Sequence, residues 1–275
     1  MSDLNWAAES QAPDLIITGG FMVTEAIVPS LLSSVRDIKK RISSHPDVPA
    51  KWNLKDISRA LKLHGLQSLE KKLLASADEL RTAMLDALVQ ADAKLFLSML
   101  QAHSRKKQVL GATRADLVRF SFSNVLMRAG LRLKLNAPAD SARVLIDWPE
   151  KAQATPFVAE YRSAYCDGCS GEIKYLCGPL HERKFEPGLS FGVTDIDPLL
   201  QLADMVVGAS RAFARSALNA TPETDFGVRQ FRRLLPLFHT GSEGELLGYG
   251  IVVSPKESKV RDVLIDALKK TPAST

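Results

Sequence analysis

Leu15-Ile16-Ile17-Thr18-Gly19-Gly20-Phe21-Met22-Val23 is a β-branched and aromatic run interrupted by two glycines. It reads as a strand with a bulge or a close backbone approach at the glycines, and it begins the ordered core. Beyond it, Ile27, Leu31, Val35, Ile38 and Ile42 recur at helical spacing, so about Glu25 to Ser44 is expected to be a helix, with Pro29 tolerated in its first turn. His45 to Ala50 carries two prolines and reads as a loop. Apolar spacing of three and four predicts helices over Lys51–Leu63 and Leu69–Val89, separated near Gly65.

The alternation continues to the end of the chain. Lys94–Leu100 is expected as a buried strand, and Arg114–Leu135 as a long amphipathic helix with Thr113 as its N-cap. Arg143–Asp147 is a short strand stopped by Trp148-Pro149, and Thr155–Tyr165 is a helix with Pro156 at its first position. A loop-rich stretch, a strand near Ser190–Thr194 and a strongly apolar helix over Pro198–Leu218 follow. The tail predicts helix, strand (Gly250–Ser254) and helix. Strands alternating with helices give a mixed α/β class.

The 275 residues, 45% hydrophobic and 24% charged, suffice for one elaborated domain. No apolar run approaches the roughly 20 residues that cross a bilayer, and the N-terminus has no basic-then-apolar leader pattern. The expected location is the cytoplasm, with no membrane partner. A net charge of +5 permits a polyanionic partner such as nucleic acid, yet the basic residues are scattered in small groups: Lys39-Lys40-Arg41, Lys71-Lys72, Arg105-Lys106-Lys107 and Arg232-Arg233.

Two aspartates are the candidate chemistry. Asp204 lies on a narrow strip of the 198–218 helix with Gln201, Gly208, Arg211 and Arg215, where burial demands a cation or donors. Gly208, one turn on, leaves room for a metal, a phosphate or another strand. An arginine partner is the plainer alternative. Asp147 ends a strand, where open α/β sheets present site residues; a turn-forming aspartate is the plainer reading. Brought together, the two would bind Mg²⁺ or Mn²⁺ through hard oxygens and support phosphodiester hydrolysis.

Cys166-x₂-Cys169-x₇-Cys177-x₃-His181 contains every cysteine of the chain and could form a structural zinc site, or a loop of reduced thiols. His45, His64, His103 and His239 have no partner pattern and read as surface or capping residues. No Gly-rich phosphate loop and no Gly-x-Ser-x-Gly elbow occurs, so P-loop and α/β-hydrolase readings lack support.

Lys51-Trp52-Asn53-Leu54-Lys55-Asp56, Val144-Leu145-Ile146-Asp147-Trp148 and Leu199-Leu200-Gln201-Leu202-Ala203-Asp204-Met205-Val206-Val207-Gly208-Ala209, with the opening strand, together resemble the bacterial domain-of-unknown-function 3800 family over roughly residues 15 to 215. The resemblance implies a ribonuclease H-like fold: a mixed sheet flanked by helices, with acidic residues gathered for metal-dependent phosphodiester cleavage. It makes Asp147 the strand-end carboxylate, Asp204 the carboxylate of the late helix, and Lys55 a phosphate-contacting cation. Family members open with a strand ending Asp-Glu-Ser-Gly, whereas this chain has Ala8-Glu9-Ser10-Gln11. A chain starting downstream of its natural beginning, substitution by Glu9 or Asp14, and loss of activity are three explanations.

The resulting expectation is a ribonuclease H-like domain over 1–218 with a C-terminal extension, 219–275, packed on it. Its function is that of a metal-dependent nuclease or nuclease-like protein with Asp147, Asp204 and Glu9 as the acidic set and Mg or Mn as cofactor. The alternative is a non-catalytic nucleic-acid-binding or protein-interaction module.

Overall fold

The computed structural model describes residues 2–4, 15–54, 57–101, 103–104, 107–108, 114–148, 154–219 and 225–270. The opening run is strand β2 (Leu15–Met22), paired antiparallel to β1 (Ser2–Leu4) on one side and to β3 (Lys94–Gln101) on the other. The β2–β3 register runs unbroken from Leu15↔Gln101 to Met22↔Lys94, so there is no bulge and Gly19 marks a close approach. A Cβ on Gly19 would stand 2.9 Å from the Phe96 carbonyl oxygen. A fourth strand, β10 (Ile251–Ser254), lies parallel to β3, giving the order β1-β2-β3-β10. Residues assigned by their pattern to the C-terminal extension thus supply a strand of the central sheet.

The helices cover both faces of that sheet. On one face lie α1 (Val28–Ser43), α4 (Ala77–Gln90), α7 (Pro198–Asn219), α8 (Phe226–Leu234) and α9 (Lys259–Lys269), whose apolar stripes join Leu15, Ile17, Leu95, Leu97, Met99 and Ile251 in the main core. On the other face α5 (Arg114–Asn136) runs with Leu117 against Ile16 and Leu100. Alternation along a strand sends successive side chains to opposite faces, which is why Ile16 and Ile17 belong to different clusters.

The outer side of α5 builds a second core with α6 (Ala154–Cys166), through Phe122, Leu126, Phe157 and Tyr161. The parallel pair β6 (Ala142–Asp147) and β9 (Phe185–Gly192) packs on it through Val144, Ile146 and Leu189. Two short hairpins complete the strands among the described residues: β4 (His103–Ser104) with β5 (Lys107–Gln108), and β7 (Cys169–Ser170) with β8 (Ile173–Lys174).

Two helix expectations are corrected. Among the described residues the 51–63 segment is α-helical only as α2 (Ile57–Leu63), because the backbone around Trp52 spends its hydrogen bonds on distant partners. The 69–89 segment is broken at Ser76 into α3 (Glu70–Ala75) and α4. The strand expected near 190–194 is longer and earlier, ending at Gly192. Thr113, Glu9, Asp14, Lys55 and Asp56 lie outside the described residues. No helix among the described residues is long and apolar enough to cross a membrane.

Candidate functional site

Helix α7 buries Leu200, Leu202, Met205, Val206, Val207, Ala209 and Phe213, and its polar strip is covered around Asp204, since Gln201 and Gly208 are buried as well, while Arg215 at its far end is exposed. The cover is Trp52. The Trp52 N–H donates to Asp204 Oδ2 at 2.7 Å, while its carbonyl accepts from Arg81 Nε at 3.0 Å and Nη2 at 2.6 Å. Its ring stacks near Phe226, with centroids 6.1 Å apart, and lies 5.1 Å below the Arg81 guanidinium. A Cβ added to Gly208 would stand 2.0 Å from Trp52 Cγ. The place Gly208 leaves therefore holds an indole, and among the described residues the hydrogen-bond partner of Asp204 is a backbone N–H.

Asp147 is held at the end of β6 by the loop that leads into α7. Its Oδ1 accepts the Thr194 N–H at 2.9 Å, and Trp148 N donates to the Gly192 carbonyl at 2.7 Å. One residue beyond Thr194, Asp195 forms an ion pair with Lys51, the neighbour of Trp52. Asp197 then caps α7, Oδ1 accepting from Leu199 N at 2.8 Å. Loop 193–197 and segment 51–54 thus converge on the two sequence-predicted aspartates from opposite sides.

Burial pushes the Asp204 carboxyl above the usual carboxylate range; the Trp52 N–H and the Lys51 charge oppose the rise, and the Asp147 charge adds to it. Asp204 Oδ1 and Asp147 Oδ2 have no hydrogen-bond partner among the described residues. A hard divalent ion commonly takes one or two carboxylates and completes its shell with water and substrate phosphate, so the donor chemistry suits one such ion. No group of three or more His, Cys, Asp or Glu that could hold a metal occurs among the described residues. A third acidic ligand, for which Glu9 is the candidate, falls outside them.

The four possible zinc ligands are not gathered. Cys166 is exposed, Cys169 Sγ is 3.3 Å from Ser163 Oγ, and His181 Nδ1 donates to the Tyr165 carbonyl at 2.7 Å. Cys177 is a core residue; its thiol is pushed up to about 11 by burial, and a Cβ on Gly130 would stand 2.6 Å from its sulfur. The basic groups also divide. Lys39 is buried at 2% exposure, Lys72 donates to Ser44 Oγ at 2.7 Å, Arg232 donates to the Ala267 carbonyl at 2.7 Å, and Arg233 pairs with Asp86.

Sequence reasoning missed Trp52, Lys51, Asp195 and His239. Lys51-Trp52 stands out only as part of a segment resembling the family and as the start of an expected helix, and His239, read as a surface or capping residue, is 3% exposed. No family model matches this chain, and comparison with curated proteins and with solved structures finds no match.

Proposed function

We propose that this chain is a metal-dependent nuclease or nuclease-like protein of ribonuclease H-like architecture, similar to the domain-of-unknown-function 3800 family, in which Asp147 and Asp204 address a nucleic-acid phosphodiester through Mg²⁺ or Mn²⁺. The observation that carries this reading is geometric: Asp147, at the end of β6, accepts the Thr194 N–H of the loop that leads into α7, the helix bearing Asp204. A mixed sheet flanked by helices accords with it. When bound, the ion would polarise a phosphoryl oxygen and lower the pKa of a water nucleophile. The protein's part is to hold one oxygen of each carboxylate with a backbone N–H, at Thr194 and Trp52, leaving the other oxygen for the ion. Lys55, three residues beyond Trp52, is the proposed phosphate-facing cation.

A second reading rests on the same contact. Asp204 is the clamp that docks Trp52 onto Gly208, and in a non-catalytic nucleic-acid-binding or protein-interaction module it would do only that. Mn²⁺-dependent cleavage of single- and double-stranded DNA and RNA separates the two, measured on the chain, on Asp147→Asn and on Asp204→Asn. Asparagine keeps an acceptor for the Trp52 N–H, so Asp204→Asn should fold with undiminished stability while losing more than about 100-fold in rate, beyond the usual loss of a supporting partner. Asp204→Ala should lose about 1–3 kcal/mol because it strands that N–H. Absence of both Mn²⁺ binding and cleavage, with Asp204→Ala still destabilised, would leave the clamp as the whole role of Asp204.

A further inference from the structure

The sheet face away from α7 is polar in a way the nuclease reading does not use. Thr18 of β2 stands opposite Ser98 of β3, and Ser98 Oγ accepts from Asn124 Nδ2 of α5 at 3.3 Å. The Thr18 and Ser121 hydroxyls are buried without a partner, and a Cβ at Gly20 would meet nothing within 4 Å. Because α5 runs antiparallel to β3, with Leu117 at Leu100 and Asn124 at Ser98, its next turns bring Arg128 and Arg132 over the beginning of that strand.

His239 lies at the same end of β3, its backbone N–H donating to the Leu95 carbonyl at 3.1 Å. Its ring lies 5.9 Å from Phe96 and 6.0 Å from Tyr249, and Nε2 is buried without a partner. Arg128 Nε is likewise buried and unpaired, and neither arginine has a carboxylate within ion-pair distance among the described residues. Burial and, after it, the Arg132 and Lys94 charges disfavour protonation of His239; burial also bears on Arg128, opposed by Cys177, Tyr175 and Tyr249, and its Nη1 donates to Met127 Sδ at 2.8 Å. The one carboxylate felt here is Asp92, and it is hydrogen-bonded to Lys94 at 2.5 Å.

Unsatisfied buried donors and uncompensated guanidinium groups are costly unless a ligand or water completes them. Two arginines one turn apart present forked donors suited to an oxyanion, and a neutral imidazole adds one more N–H. We propose that Arg128, Arg132 and His239 form a phosphate-binding site between α5 and the start of β3, taking inorganic phosphate or a terminal phosphomonoester. A small dianion matches two unpaired cations in this half-enclosed place better than an internal phosphodiester, which carries one charge and a bulky chain on both sides. The site lies across the sheet from Asp204 and owes nothing to a divalent ion.

Calorimetric titration of the full chain with inorganic phosphate tests it, with a 5′-mononucleotide and an oligonucleotide lacking terminal phosphates as parallel arms. One saturable site is expected for phosphate or the mononucleotide, weakened about tenfold or more in the Arg128→Gln/Arg132→Gln protein. Phosphate should raise the Tm of the wild type and not of that variant. Without phosphate the variant should be at least as stable as the wild type, which separates lost binding from lost folding. Asp147→Asn should bind phosphate unchanged, so that failure of the nuclease reading leaves this result standing. Undetectable phosphate and mononucleotide binding, equal binding by the double variant, or binding of the oligonucleotide alone would each overturn the proposal.

Discussion

The two faces of the central sheet are built on different principles. Against α7 the contact is apolar and close: Leu15, Ile17, Leu97 and Met99 meet Leu202, Val206 and Phe213, and Phe213 stacks on Phe231 of α8 with centroids 4.3 Å apart. Against α5 the sheet offers Thr18, Gly20 and Ser98, and the helix answers with Ser121, Asn124 and Arg128. The apolar face accounts for cohesion, because burial and dispersion scale with the apolar area removed from water. The polar face contributes less to stability and holds unsatisfied donors, which is the character of a binding surface.

Truncating the apolar face should have the largest effect. Phe213→Ala, at a position 1% exposed, should cost about 3–5 kcal/mol in denaturant unfolding, from lost transfer energy and the cavity left behind. A cost below about 1 kcal/mol would mean that the α7 side is not the stabilising one.

A charge within that face gives an effect of opposite sign. Lys39 of α1 is 2% exposed, and burial lowers its pKa to about 8, with the Asp47 charge opposing the fall. Below pH 8 both folded and unfolded lysines are protonated and the burial penalty is complete. Between about pH 8 and 10.5 the unfolded chain holds the proton that the folded chain has released, so stability rises with pH through this window. Lys39→Met should therefore be more stable at pH 7 by about 3 kcal/mol, the equivalent of the shift, and should lose that pH dependence. Urea unfolding of both proteins at pH 7 and pH 10 measures it; equal stability at pH 7 would show that Lys39 is compensated.

The smallest change belongs to the polar face. Thr18→Val replaces a buried, unpartnered hydroxyl by a methyl group and should alter stability by no more than about 1 kcal/mol, with gain the expected sign. A larger loss would place an ordered water on Thr18 and sharpen the contrast, since a wet layer would then run beneath α5.

Much of the element order is legible in the sequence, because hydrophobic period is a local property. The run 15–23 and the spacing through 94–100, 114–135 and 198–218 forecast β2, β3, α5 and α7 within a residue or two. The reading of Lys51–Leu63 as one helix failed because hydrogen bonds to Asp204 and Arg81 hold its first turn in another conformation. Asp147 and Asp204 were both found as candidates, one from its place at a strand end and one from the cost of a carboxylate on an apolar helix. That the loop leading into α7 reaches Asp147 depends on packing and is not encoded in either local pattern.

The sequence by itself determined where the long helices and core strands lie, that the chain mixes them, and that Asp204 had to be satisfied by something. Only the tertiary structure decided what that something is. The Trp52 N–H reaches Asp204 from a segment far away in the chain, and the Trp52 ring fills the place Gly208 leaves. It also decided that His239 is interior, its ring 5.9 Å from Phe96. Periodicity records how each element meets its neighbours on average, whereas a hydrogen-bond partner or an unpaired charge is fixed by which elements pack together, and that choice is non-local.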